Sequence, residues 1–226
     1  MKISVDEIQS RIAAYVDQDE DTSNISSTDY SLRLSYINNA LLDWAEVSDW
    51  QTLFREYNMN ISMSTGNASI VLPSDFRKLA SYPQITYNGT TTELFPEVLP
   101  QEDGQYEATD SRVWIMGNPQ DNYILRVLGV TLASGASVKV PYYASPQSLA
   151  SPADIAEIPN PQYLITSTIA QIWESREDAR FQIKKAEADR MLSNMLEFET
   201  VPNRASQYNR VKTVEETNYK FRIGRD

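Results

Sequence analysis

Near its N-terminus the chain carries apolar residues at the three- and four-residue spacing of helices. A first helix is predicted to begin at Ser4, where Glu7 completes a capping box. After a polar loop over residues 17–27, a second helix is predicted from about Thr28 to Ser48–Trp50. The apolar stripe of this second helix, which faces a partner helix, consists of Tyr30, Leu34, Ile37, Leu41 and Trp44.

After Phe54 the pattern changes to the two-residue alternation of β-strands. Alternating residues on both sides of the sequence STGN predict a β-hairpin over residues 57–72. Asn88-Gly89 predicts a tight hairpin turn. The middle of the chain is therefore predicted to be an antiparallel β domain of six or seven strands, in which residues 97–111 form an exposed acidic loop. Three further strands are predicted at residues 112–117, 123–129 and 137–143.

The helical spacing returns at Pro161, where Asn160 and Pro161 mark a helix start. A single helix from there to Glu199 would be about 58 Å long at 1.5 Å per residue. Acidic residues cluster at 174–178, which favours a break between two helices. One apolar stripe is predicted to continue across this break through Ile165, Ile169, Ile172, Ala179, Ile183 and Ala186.

Helical ends around a β middle predict an α+β fold, in which a helical bundle is built from the N- and C-terminal segments and carries an inserted antiparallel β domain. The predicted boundaries give a helical core of residues 1–56 plus 144–200 and an inserted β domain of residues 57–143. Residues 201–226 are predicted to form an extended C-terminal docking tail.

Composition narrows the possible functions. The hydrophobic fraction of 41% is typical of a globular protein rather than a disordered one. The chain contains no histidine and no cysteine, which excludes a Ser-His-Asp triad, a Cys-His pair and a structural zinc site. No apolar run is long enough to cross a bilayer and the N-terminus does not resemble a secretory signal, so we expect no membrane partner and folding in a cytoplasm. No cofactor and no catalytic role are predicted.

Charge is distributed unevenly along the chain. The net charge is −11, yet residues 202–226 carry six Lys or Arg and three acidic residues, a net of +3. The rest of the chain therefore carries −14. An acidic body repels nucleic-acid phosphates, and a basic tail suits contact with another acidic surface, such as a neighbouring copy.

Four segments, taken in order, resemble tailed-bacteriophage adaptor proteins, which form the head-to-tail connector beneath the portal. The first is a helix that ends at a tryptophan, the second a Leu-Pro-x-Asp-Phe turn, the third a strand that ends in Tyr-Tyr-Ala, and the fourth a helix that begins at proline. They are YSLRLSYINNALLDWAEVSDWQ (30–51), LPSDFRKLASY (72–82), VPYYASPQSL (140–149) and PNPQYLITSTIAQIWESREDARF (159–181).

This resemblance implies a virion structural protein that forms a dodecameric ring between the portal above and the tail, nozzle or fibre proteins below. It also implies that viral double-stranded DNA passes through the ring without specific binding. The protein would then lie in the neck or tail of the virion and assemble in the host cytoplasm. A tail-tube terminator or gatekeeper ring shares this architecture and stays an alternative.

Candidate partner-binding residues lie at the strand end and in the tail. Tyr142 and Tyr143 point to opposite faces of a strand, and an outward tyrosine suits a subunit contact as well as it suits packing on its own helices. In the tail, aromatic and basic residues alternate, which suits addition to an exposed sheet edge. The tail candidates are Arg204, Tyr208, Arg210, Tyr219, Phe221 and Arg222.

Three other hypotheses concern ligands or catalysis. Residues 17–28 space acids like a calcium loop, but Thr22 and Thr28 occupy positions that require Gly and Glu, so a solvated loop is favoured. The acids at 174–178 resemble a glycosidase pair, although interspersed arginines favour surface ion pairs. Among the tryptophans, Trp50 is the candidate for stacking on a carbohydrate, the chemistry of a binding module in a fibre protein.

Overall fold

The computed structural model describes residues 3–17, 25–61, 68–96, 112–118, 120–128 and 134–200, and it has the predicted α+β fold. Two long helices precede a group of strands, and two helices follow it. A short 3-10 helix lies just before the first strand. The helical elements are α1 (Val5–Val16), α2 (Ser27–Val47), the 3-10 helix (Gln51–Leu53), α3 (Gln162–Ser175) and α4 (Phe181–Thr200).

The helical part consists of α1–α4, the 3-10 helix and the segment 145–161. The start of α1 is capped as the sequence predicts, because the Ser4 hydroxyl accepts a hydrogen bond from the N–H of Glu7 at 3.3 Å. One apolar cluster joins all four helices. The predicted stripe of α2 is confirmed, since Ile37, Leu41 and Trp44 are buried in this cluster and Tyr30 and Leu34 pack against it.

The predicted break between the last two helices is confirmed, and a Schellman motif forms it. The N–H of Asp178 donates to the carbonyl of Trp173, and the N–H of Glu177 donates to the carbonyl of Glu174. Glu177 adopts the left-handed conformation, with φ of 56°, which reverses the chain between α3 and α4.

The prediction that one apolar stripe continues across this break is wrong. Ala179, Ile183 and Ala186 are exposed, and Ile183 is 71% accessible. The reversal at Glu177 turns a different face of α4 towards α3. That face carries Ala188 and Met195, which are buried in the helical cluster.

The β part consists of nine strands among the described residues, arranged as two sheets. The first sheet has the order β1-β9-β4-β5, and β3 pairs with the remaining length of β9; the second sheet has the order β2-β8-β7-β6. The strands are β1 (Phe54–Asn60), β2 (Ala68–Val71), β3 (Phe76–Leu79), β4 (Gln84–Tyr87), β5 (Thr90–Glu93), β6 (Phe95–Pro96), β7 (Arg112–Asn118), β8 (Asn122–Leu128) and β9 (Ser137–Ala144).

Strand pairing confirms one predicted feature and corrects two. Asn88 and Gly89, with φ of 49° and 77°, form the predicted turn between β4 and β5. β7 and β8 pair as neighbours in sequence. The predicted hairpin over residues 57–72 is wrong, because β1 pairs along its whole length with β9 and β2 pairs with β8 in the other sheet. The β part is also not wholly antiparallel, since β6 pairs parallel to β7.

A second apolar cluster lies between the two sheets and includes Ile70 and Leu125 from one sheet and Val138 and Val140 from the other. The β part begins and ends at one place, because Phe54 lies opposite Tyr143 in the β1–β9 ladder. In the described part of the chain, no helix is both long and apolar enough to cross a membrane.

Candidate interaction surfaces

A groove of about 820 Å³ lies where the β part meets the segment that leads back to α3, and we call it the junction groove. Tyr57 of β1 and Tyr142 of β9 line it on the β side, and Asp75 and Glu157 add two carboxylates. Arg55 balances one of these charges through an ion pair with Glu157 at 2.9 Å. The groove is therefore polar and mildly acidic, and it lies between the two parts of the molecule.

Tyr142 reaches the junction groove only through its hydroxyl group. Its ring is 5% exposed and stacks on Phe76, with 5.7 Å between ring centroids. The hydroxyl donates to Asp75 Oδ1 at 3.0 Å. Burial, together with the hydrogen bond and the negative charge of Asp75, raises the pKa of Tyr142 to about 12. Tyr142 therefore fixes the turn at Asp75 to strand β9.

Tyr143 lies on the opposite face of β9, as the alternation predicts, and is half-buried. Its ring meets the ring of Phe54 edge to face at 6.1 Å, and the ammonium of Lys78 lies 6.0 Å from its centroid. Phe54 is 40% exposed. The charge of Lys78 is balanced by an ion pair with Asp49 at 2.5 Å, so this aromatic pair gives the outer face of the first sheet an apolar spot of the kind used in protein contacts.

Arg77 joins the β part to the helical part, and the sequence gives no direct indication of this role. Its guanidinium donates to the carbonyls of Ala45 and Ser48 at the C-terminal end of α2. A cation there satisfies carbonyls that have no partner within the helix and complements the negative end of the helix dipole. In the sequence, Arg77 directly follows the Leu-Pro-x-Asp-Phe turn, one of the segments that carry the resemblance to adaptor proteins.

A smaller cavity of about 220 Å³ lies between α2, α3 and α4. Asp43, Glu174 and Asp189 line it together with Lys185 and Tyr163. Burial and the neighbouring charge of Glu46 raise the pKa of Asp43. Burial and the charge of Asp43 also raise the pKa of Tyr163. The surface between these helices is therefore acidic, in agreement with the negative charge of the body.

In each acidic cluster that the sequence singled out, one carboxylate forms an ion pair with an arginine. Hydrogen bonds from Arg180 lower the pKa of Asp178 to about 2, and Glu174 and Glu177 are exposed. Asp17 accepts a hydrogen bond from the buried guanidinium of Arg33, which opposes its use as a calcium ligand; the rest of that loop, residues 18–24, lies outside the described residues. Within the described ranges, no group of three or more acidic side chains is arranged to hold a metal ion.

Trp50 is not a surface stacking platform. Its side chain is fully buried, its ring stacks on Trp44 at 5.0 Å, and its indole N–H donates to the carbonyl of Trp44 at 2.7 Å. The carbohydrate-binding hypothesis therefore loses the residue on which it was based. The tail candidates Arg204, Tyr208, Arg210, Tyr219, Phe221 and Arg222 lie outside the described residues.

These features describe an α+β structural protein. In the described ranges its polar side chains mainly form caps, ion pairs and hydrogen bonds that hold its own elements together. A family model described as SU10 adaptor protein matches residues 3–212, which include both the helical part and the β part. The chain belongs to the SU10 adaptor protein family and is thus a phage adaptor protein, a structural component of the virion. Comparison with curated protein sequences found no match.

Proposed function

We propose that this protein forms the adaptor ring, a dodecamer, between the portal and the tail or nozzle of a phage. Membership of the adaptor family over residues 3–212 carries this proposal. The ring would lie in the neck of the virion after assembly in the host cytoplasm. Its action would be assembly rather than catalysis, in keeping with a family of structural adaptors.

The charge of the body suits a passage for DNA. Apart from the basic tail, the chain carries −14, and the cavity between α2, α3 and α4 shows this acidity on the helical part. Each Lys or Arg that contacts a phosphate adds affinity through counterion release, so an acidic channel wall lets the duplex slide without binding. The helices would build the wall of the ring, and the viral DNA would pass through it without specific contacts.

Contacts with portal, tail or fibre proteins would come from surfaces that the body leaves open. Tyr143 and Phe54 offer an aromatic spot on the outer face of the first sheet. The basic tail, with its aromatic residues, offers a segment that can reach another subunit. Tyr142 contributes indirectly, because its hydrogen bond to Asp75 ties the turn before β3 to strand β9, which also carries Tyr143.

The experiment is a mass measurement of the purified chain with and without the portal protein of the same phage, by native mass spectrometry or sedimentation. We expect small species alone and a portal-bound ring after mixing. A chain that stays unbound over the full range of portal concentrations contradicts the proposal. Binding to the end of a tail tube instead of the portal assigns the gatekeeper role.

A further inference from the structure

Strand β1 is the long open edge of the first sheet. It is seven residues long and pairs regularly with β9, and the described residues place no strand on its other side. Proteins protect such edges by keeping them short, by proline, by bulges or by free charges. β5 and β2 are four residues long and β6 contains Pro96, whereas β1 is seven residues long, contains no proline and pairs with β9 without a bulge.

The two charges on β1 do not guard its edge, because both are used within the subunit. Arg55 pairs with Glu157 at 2.9 Å, and Glu56 pairs with Lys139 at 2.7 Å. On the inner face of the strand, Tyr57 and Met59 pack against the cluster between the sheets. An added strand with apolar residues on one face and basic residues on the other would extend that cluster and lie beside Glu56.

The C-terminal segment has this pattern. Tyr219, Phe221 and Ile223 alternate with Lys220 and Arg222. Main-chain hydrogen bonds to a sheet edge give such a segment its affinity, and its alternate side chains give it specificity. Its positive charge would also offset the repulsion between two acidic bodies, which would otherwise oppose the association of copies.

The position at which α4 ends decides which β1 the segment can reach. The carboxylate of Glu199 accepts the backbone N–H of Gln51, so the end of α4, from which the C-terminal segment leaves, lies next to the start of its own β1. The distance from this exit to β1 of a neighbouring copy therefore equals the spacing between equivalent points of adjacent subunits. For a body of this size that spacing is roughly 40 Å, and residues 201–218 span up to about 60 Å when extended.

Pairing of residues 219–223 with β1 of their own molecule is disfavoured, because residues 201–218 are longer than the connection that such a pairing usually has. Hairpin loops usually contain about two to five residues, and structureless connections beyond about 12–15 residues are uncommon within one compact domain. We infer that residues 219–223 of one subunit add as a strand to the open edge of β1 of the neighbouring subunit. This inference rests on the proposed ring, and it assigns the contact that links each subunit to the next.

Cysteine cross-linking tests the contact directly, because the natural chain contains no cysteine. A tagged Asn58→Cys chain is mixed with untagged Lys220→Cys or Arg222→Cys chains under mild oxidation, both alone at high concentration and bound to the portal. Strands about 4.8 Å apart bring paired residues within disulfide range. We expect a tagged–untagged heterodimer, formed severalfold more than with the matched control Thr91→Cys, which lies exposed on edge strand β5.

The other outcomes of the cross-linking experiment overturn either the contact between neighbouring subunits or the proposed function. A chain that carries both Asn58→Cys and Arg222→Cys and cross-links only within itself would overturn the neighbour contact. Portal-bound rings without a cross-link at residue 58 would also overturn it, while the proposed function would stand. If no ring forms with the portal, the proposed function fails, and the inference is then tested by cross-linking of the isolated protein at high concentration. If that protein forms no more heterodimer than the Thr91→Cys control, the inference is refuted.

Discussion

Tyr142 shows how a side chain gains a role that depends on the fold and not on its neighbours in sequence. The two-residue alternation predicts that Tyr142 and Tyr143 point to opposite faces of β9, and the structure places the ring of Tyr142 inward. Its partner Asp75 lies 67 residues away in sequence. The hydrogen bond between them ties β9 to the turn that precedes β3.

We predict that Tyr142→Phe lowers the free energy of unfolding at neutral pH by about 1–2 kcal/mol, since the hydrogen bond to a carboxylate is lost. The pKa of this tyrosine is raised in the folded state from 10.0 to about 12. The contribution of the Tyr142 hydroxyl to the free energy of unfolding is therefore complete below pH 10 and is lost as the pH rises towards 12. Urea unfolding at several pH values measures both effects.

Tyr143→Phe is the matched control, because it removes the hydroxyl of the adjacent, half-buried tyrosine. Its unfolding free energy at neutral pH should stay close to that of the natural chain. If both variants show the same pH dependence as the natural chain, the bond between Tyr142 and Asp75 does not contribute to stability.

At the scale of residues, the sequence predicts the face to which a side chain points better than it predicts which residues that side chain contacts. It correctly predicted that Tyr142 and Tyr143 point to opposite faces of a strand and that Trp44 packs in a core. It did not predict the burial of Trp50, because the stacking of Trp50 on Trp44 depends on how the chain turns after α2. Nor did it predict the contact of Arg77 with the end of α2, which joins residues that are distant in sequence.

Among the elements, the turn between α3 and α4 offers a direct test. Glu177 holds the left-handed conformation at the position of the Schellman motif where glycine is usual. We predict that Glu177→Gly raises the free energy of unfolding by about 1 kcal/mol, since a side chain is strained there. Thermal or urea unfolding measures the change.

Glu174→Gly is the control within the same motif. Glu174 lies in the last turn of α3 with ordinary helical geometry, so glycine there should destabilise the protein by about 1 kcal/mol. Equal loss of stability in both variants would show that the left-handed residue carries no strain.

Element types were predictable because each depends on local spacing. The helices and the turn at Asn88-Gly89 follow from neighbouring residues. The hairpin predicted over residues 57–72 failed because β1 and β2 pair with β9 and β8, which come much later in the chain. The stripe through Ile183 failed because one left-handed residue rotates α4 relative to α3.

At the scale of the whole molecule, we predict that the helical part folds without the β part. The positions at which the chain enters and leaves the β part make this prediction testable. Phe54 and Tyr143 are opposite each other in an antiparallel ladder, with Cα atoms about 5 Å apart. Replacing residues 55–142 by a short Gly/Ser bridge should leave a soluble helical protein, because the helical cluster keeps Trp44, Trp50 and Leu53. Circular dichroism and thermal unfolding test this.

Arg77→Ala in the full chain is the control for that deletion, because it removes the same contact with the end of α2 but keeps the β part. We expect a similar, modest loss of helical stability in both. Complete unfolding of the shortened chain, beside a folded Arg77→Ala variant, would show that the helices need the β part for their core.

The stacked pair of Trp44 and Trp50 also gives the protein its own optical probe. Two indole rings held 5.0 Å apart couple their electronic transitions, a signal that disappears when the rings separate. Both rings are fully buried at the end of α2, away from solvent. Association of subunits should leave this signal unchanged while unfolding abolishes it, so one unlabelled sample can distinguish the two processes.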